Sequence, residues 1–196
     1  QYSLSTAYDV STASYDSVSF SAGSETSSST YGFNFNNDGT KFYVLSYAND
    51  AVYQYSCSTA YDMSTASYES KSFSHASQET DSTGIVFNND GTKMYITGSG
   101  SDAIYQYSLS TGFDVSTASY DSVSLSVSSQ TSQPTDLAIS SDGTKIFICD
   151  NTNDSVFQYN LSTAYDLSTA SYSTSFSVTS QDTIPNGLTF SSDGTK

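Results

Sequence analysis

Apolar and polar positions alternate along this chain in short runs, and the runs return at a fixed interval. The stretch Gln1–Asp9 comes back in near copy at Gln54, Gln106 and Gln158, in steps of 53, 52 and 52 residues. A second landmark, Asp-Gly-Thr-Lys, stands at 38–41, 90–93, 142–145 and 193–196. Self-similarity at such a period marks a repeat architecture. Within one repeat the pattern predicts four strands. The first is the apolar run Gly84-Ile85-Val86-Phe87, followed by an Asp-Gly turn between apolar runs. That pair is a strong hairpin signal, because glycine accepts the positive φ the turn requires. The second strand is 93–97, a Gly/Ser/Asp turn spans 98–102, and the third strand is 103–109. After a Ser/Thr-rich connection, Ser122-Val123-Ser124-Leu125-Ser126-Val127 alternates with period two, as a half-buried fourth strand does.

Four antiparallel strands, joined by short turns and repeated at this length, describe the blades of a β-propeller. A β-solenoid also repeats, but its stacked parallel coils have no need of a tight hairpin in every repeat. The expectation is therefore an all-β propeller of four-stranded blades. A single domain covers 1–196, with repeats at 1–53, 54–105, 106–157 and 158–196. The chain opens at a third strand and stops after a first strand and its turn. Its end pieces sum to a blade lacking the second strand, so the ring is expected to be incomplete. Further blades of the same chain or a second copy would close it and cover the edge strands.

Composition changes this picture at the surface. Serine is abundant, yet 14% of the residues are aromatic and they recur in register, which separates the chain from a disordered one. Twenty acids face five lysines and no arginine, for a net charge of −15. Such a balance repels phosphate backbones and anionic lipid, so nucleic acid and membranes are not expected partners. No apolar run reaches the length of a membrane span. Cys57 and Cys149 lie two blades apart in the repeat map, which predicts two free thiols.

One group of segments carries a resemblance. Gly187-Leu188-Thr189-Phe190-Ser191-Ser192-Asp193-Gly194-Thr195-Lys196, and Asp-Gly-Thr-Lys followed by Met94-Tyr95-Ile96, resemble the signature of the YVTN/NHL and lactonase-like propeller superfamily. The lengthened Ser-Thr-Ala-Tyr-Asp connection resembles tandem repeats of bacterial and phage surface proteins. The resemblance implies the propeller fold and, for its lactonase members, acids and a metal around the central channel. The matching positions here are Gly32, Gly84, Asp136 and Gly187, a single carboxylate where calcium needs six to eight oxygens. No metal site and no cofactor is therefore expected.

Catalysis requires unlike groups at one place, so a site must break the repeat. His75 is the only histidine and stands where other repeats have Ala22, Val127 and Val178, which excludes a multi-histidine metal site. It is expected to fill surface or interface space. No nucleophile elbow or phosphate loop occurs. The sequons at Asn153 and Asn160 are of the kind that chance supplies in a chain rich in Ser and Asn. The turn acids Asp38, Asp90, Asp142 and Asp193 are expected to bond their own backbone. A second set repeats as aromatic–acid pairs: Tyr8 and Asp9, Tyr61 and Asp62, Phe113 and Asp114, Tyr165 and Asp166. These read as plugs and caps, or as a platform for sugar on one rim. The resulting expectation is a non-catalytic, extracellular structural or adhesive module of a cell-surface, secreted or virion appendage protein. Its loops at 21–31, 74–83, 126–135 and 177–186 would meet glycans or another surface protein. The alternative is a lactonase-like metal-dependent hydrolase whose site lies in blades outside this sequence.

Overall fold

A computed structural model describes residues 1–27 and 29–196. The first two strands, β1 (Tyr2–Leu4) and β2 (Ala13–Tyr15), form a two-stranded ribbon. A single helical turn, α1 (Gly23–Thr26), leads into the first full blade. That blade is the meander β3 (Thr30–Phe35), β4 (Lys41–Ser46), β5 (Ala51–Cys57) and β6 (Ala66–Ser74). Blade two repeats it as β7 (Ser82–Phe87), β8 (Lys93–Gly98), β9 (Ala103–Leu109) and β10 (Ala118–Ser126). Blade three is β11 (Pro134–Ile139), β12 (Lys145–Asp150), β13 (Ser155–Leu161) and β14 (Ala170–Ser177). All pairings are antiparallel, and each blade is ordered from inner to outer strand as the chain runs. The ring is not closed.

The turns follow from local chemistry. Gly39, Gly91 and Gly143 each hold φ +70 in the Asp-Gly turn, a conformation cheap only for glycine. The preceding aspartate fastens the turn: Asp90 Oδ1 accepts from Thr92 N at 2.9 Å and from Thr92 Oγ1 at 2.5 Å. Each outer strand β6 and β10 is interrupted by a bulge, with Ser70 and Ser122 at φ near +58 and +59. The bulge divides a lower half that continues the long connection from an upper half with alternating burial. The fourth strand is accordingly longer than its alternation alone suggests.

The cores lie between blades, since each sheet has two faces and a neighbour on either side. Tyr43, Leu45 and Val52 of blade one pack with Ile85, Phe87, Met94, Ile96 and Tyr107 of blade two. Tyr95 and Ile104 pack in the same way with Leu137, Ile146 and Ile148 of blade three. The buried hydroxyls reach across: Tyr43 donates to Phe113 O at 2.8 Å, and Tyr95 to Tyr165 O at 2.6 Å. Gln54 Oε1 accepts from Val115 N at 2.9 Å, and Gln106 Oε1 from Leu167 N at 2.8 Å. Gln1 does the same for Met63 N. A blade is thus latched to the next at its core and at its base.

Three details differ from the sequence expectation. Residues 187–190 carry no strand assignment, although Leu188 N donates to Asp136 of β11 and the Phe190 ring packs tilted against Phe147, with centroids 4.5 Å apart. Among the described residues they have no second strand to pair with. His75, expected to fill surface or interface space, is fully buried, which removes the surface half of that expectation, with Nδ1 2.9 Å from Glu79 O. A four-residue helical turn at 23–26 replaces expected loop. Both cysteines are free and buried. No helix among the described residues is long and apolar enough to cross a membrane.

Candidate ligand site at the channel mouth

The aromatic–acid pairs of the long connections sit at the end of the blades that bears the Asp-Gly turns. Asp9, Asp62, Asp114 and Asp166 each cap a short 3-10 turn, accepting from Ser11 N, Ser64 N, Ser116 N and Ser168 N at 2.9 to 3.1 Å. Ser64 sits in the way typical of a cap: both its amide and its hydroxyl bond to Asp62 Oδ1. The aromatic before each acid is held at positive φ, between +59 and +63. Tyr61, Phe113 and Tyr165 lie flat over Gly39, Gly91 and Gly143, where an added Cβ would come within 2.4, 2.3 and 2.6 Å of a ring carbon. The Asp-Gly glycine therefore serves two ends at once, the turn and the ring above it. Tyr8 has no such glycine beneath it and is 90% exposed. The structure thus spreads these eight residues over four separate connections and does not bring them to one place.

Convergence occurs at the opposite end of the blades, where the inner strands begin. There Thr30, Tyr31 and Tyr47 of blade one meet Asp81, Thr83 and Ser99 of blade two, Gln133, Pro134, Thr135 and Asn151 of blade three, and Asn186. They line a cavity of about 470 Å³ at the mouth of the space between the inner strands. By strand register Tyr31, Thr83, Thr135 and Asn186 are one repeat position, directly before Gly32, Gly84, Asp136 and Gly187. Tyr47, Ser99 and Asn151 are another, directly after the second strand. Thr83 and Thr135 share the first position, while Tyr31 and Asn186 depart from it, and Tyr47, Ser99 and Asn151 are three different residues. Thr83 Oγ1 donates to Pro134 O at 2.8 Å and Thr135 Oγ1 to Pro185 O at 2.9 Å, stitching successive inner strands together at the mouth.

In blade one the same position is Tyr31, which turns outward beside Tyr47 with ring centroids 5.5 Å apart. Tyr31 is 67% exposed and Tyr47 40%, an aromatic pair on the rim. Asp81 stands across from Tyr47, and its carboxylate, by hydrogen bond and charge, raises the Tyr47 hydroxyl above its ordinary value. The hydroxyl therefore stays protonated, with its proton directed at Asp81. Asn151 Oδ1 is enclosed with no hydrogen-bond partner, an acceptor left free at the same mouth.

One step further in, Asp136 breaks the row of inner glycines. Its Oδ1 accepts from Leu137 N at 2.8 Å and its Oδ2 from Leu188 N at 2.9 Å. Burial raises its pKa, and the two amide bonds oppose that rise. A Cβ on Gly84 would come within 2.8 Å of Asp136 Oδ1, so glycine is required there by close approach. The carboxylate acts as a clasp between inner segments. Among the described residues no group of three or more His, Cys, Asp or Glu side chains gathers as a metal site. Asp136, with both oxygens taken by amides and no second acid beside it, does not supply the ligand set that the lactonase resemblance implies.

The mouth was hidden in the sequence because it gathers matching segments of successive repeats, about 50 residues apart. The signal that could have exposed it is a pair of repeat columns, at 31 and 47 and their counterparts, whose residues differ between blades.

These features define a partial β-propeller with a polar, tyrosine-rimmed channel mouth. No protein-family model matches the chain, and no curated protein matches it by sequence. Solved structures do match in fold. A protein of Bacteroides uniformis named as a candidate 6-phosphogluconolactonase superposes with TM-score 0.60 at 12% identity, covering 84% of this chain and 45% of its own. A similarly named protein of Bacteroides fragilis gives 0.59 at 13%, with the same two coverages. The periplasmic gluconolactonase of Pseudomonas aeruginosa gives 0.50 at 12%, covering 75% and 38%. The chain spans less than half the length of these three proteins.

The expectation of a non-catalytic adhesive module, and with it that of no enzymatic activity, is corrected here. Fold neighbours bearing lactonase names favour the hydrolase alternative over display. The physical reason lies in where the repeat was tested for breaks. The inner glycine column is nearly uniform, but the column just before it (Tyr31, Thr83, Thr135, Asn186) and the one after the second strand (Tyr47, Ser99, Asn151) vary, and they are the ones that line the mouth.

Proposed function

We propose that this chain forms part of a lactonase-like hydrolase, with the cyclic ester of a neutral, polyhydroxylated lactone opened at the channel mouth. The observation that carries this reading is the convergence of non-repeating polar and aromatic residues there, in a molecule whose other positions repeat. The lactonase names of its fold neighbours support it. Hydrolysis of a lactone adds water to the ester carbonyl, which takes a base for the water proton and donors for the developing oxyanion. Asp81 is the carboxylate placed to accept that proton and to return it to the ring oxygen as the acyl C–O bond breaks, and the Tyr47 hydroxyl, which Asp81 holds until it takes the proton, then donates to the carbonyl oxygen. Tyr31 offers its face to the C–H side of a sugar-like ring. Asn151 Oδ1 takes one ligand hydroxyl, which relieves its enclosed, unpaired state. The described residues do not fit a metal, and the chemistry assigned to them here uses none. Placement outside the cytoplasm, at the cell surface or in the periplasm, is part of the same proposal, supported by a fold neighbour named as periplasmic.

The test is a pH-stat assay of the protein at its full natural length on glucono-lactone. Hydrolysis well above the buffer rate is expected, and Asp81→Asn should lower kcat/KM at least about tenfold, equivalent to about 1.4 kcal/mol. A rate equal to buffer, or an Asp81→Asn variant as active as the parent, sinks the reading.

A further inference from the structure

Two successive inter-blade clefts are built from matching positions and differ by one cation. Between blades one and two, Lys71 on β6 reaches across to Asp114, with Nζ to Oδ2 at 2.6 Å. Glu69 Oε2 lies 3.7 Å from the same ammonium and accepts from Gln54 Nε2 at 2.6 Å. Between blades two and three the matching acids are Asp121 and Asp166. Lys93 and Gln106 bond Asp121 at 2.7 and 2.8 Å. The position of Lys71, however, is Val123, which brings no charge.

Asp166 is left half satisfied. Its Oδ1 caps the 3-10 turn through Ser168 N at 3.0 Å and Ser168 Oγ at 2.6 Å. Among the described residues its Oδ2 has neither a hydrogen-bond donor nor an ion-pair partner. An open cavity of about 550 Å³, bordered by Val123, Asp121, Asp166 and Tyr165, stands where the Lys71 side chain lies one blade earlier. The molecule itself thus shows what fits this position, since the ammonium of Lys71 fills its counterpart.

We propose that the cleft between blades two and three binds the primary ammonium of a small amine, held by Asp166 Oδ2 with the alkyl stem along Val123. The donors of –NH₃⁺ replace those of Lys71, and the neighbouring Tyr165 ring contributes its negative face. The pair is only partly buried, so millimolar affinity is expected rather than tight binding. This inference is independent of the lactonase reading and concerns the other end of the blades.

The probe is n-butylammonium, the lysine side chain without its backbone, titrated at constant ionic strength and followed by ¹H–¹⁵N NMR. Saturable shifts at Val123, Asp166 and Ser168 are expected, at least fivefold weaker with tetramethylammonium, which has no N–H donors. Val123→Lys, which restores the residue that blade one carries, should abolish the response. Lys71→Val should create a second response at Asp114. Linear, unsaturated shifts in the parent, equal responses to both cations, or an undiminished response in Val123→Lys would each overturn the proposal.

Discussion

Histidine occurs once in this chain, and its surroundings decide what acid does to the fold. His75 is fully buried, Nδ1 bonds Glu79 O, and Nε2 has no partner. Burial pushes its pKa down, while the Glu79 carbonyl and the charges of Asp50 and Glu79 pull it back up in part. Because the folded pKa is lower, the unfolded chain binds the proton first as pH falls through the ordinary histidine range near 6.5. Stability is then lost, at no more than about 1.4 kcal/mol per pH unit for one proton. His75→Val, the residue of the two later repeats, should flatten the pH 7.5-to-5 dependence of the thermal midpoint. An unchanged slope by calorimetry would show that the imidazole charges without penalty. The turn acids lose stability in the same direction but in a lower window: Asp142, held down to about 2 by Ser140 and Thr144, supports the fold until pH falls below the ordinary carboxylate range. The turn role of that acid was readable from four adjacent letters. The burial of His75 was not, because it depends on Asp50 and Glu79 approaching through space.

At the scale of elements, the strands and hairpins were legible because their signals are local: period-two alternation and an Asp-Gly pair need no distant partner. The 3-10 turns at 10–12, 63–65, 115–117 and 167–169 were not read, since a Ser-Thr run carries no apolar period. Nor was the role of the repeated glutamine, whose partner lies 61 residues on. Gln106 joins two blades: its Oε1 takes Leu167 N and its Nε2 gives to Asp121, both at 2.8 Å. Leu167 is buried, so truncation strands its amide. Gln106→Ala is expected to cost about 1–3 kcal/mol, the penalty of an unsatisfied buried donor. Gln158→Ala, where the matching side chain bonds only Asn160 in its own blade, should cost a few tenths at most. Urea titration of the two variants separates a blade latch from generic loss of a strand residue. Equal destabilisation would deny the latch.

At the scale of the whole molecule, charge is sorted along the blades. Lys41, Lys93 and Lys145 begin the second strands, Lys196 follows an Asp-Gly turn, and Lys71 reaches down to Asp114. All five lysines of the chain therefore lie toward the end opposite the mouth. The mouth end has Asp50, Asp81, Asp102 and Asp154 in or beside its turns, and among the described residues it has no lysine and no exposed basic side chain, His75 being buried. This sorting was invisible in the net charge of −15, because a sum has no direction. On the proposed lactonase reading, it bears on the kind of lactone the mouth would admit. A phosphorylated substrate meets repulsion on approach and finds no lysine to hold its phosphate. A neutral one meets only hydrogen-bonding groups and the Tyr31–Tyr47 rim. The protein should accordingly favour glucono-lactone over its 6-phosphate by at least about tenfold in kcat/KM at low salt. Raising ionic strength from 0.01 to 0.5 M shrinks the screening length to a few ångströms, and the gap should narrow through the phosphorylated substrate alone. Activity that instead prefers the phosphate, or a preference indifferent to salt, would mean that the mouth described by these three blades does not set specificity.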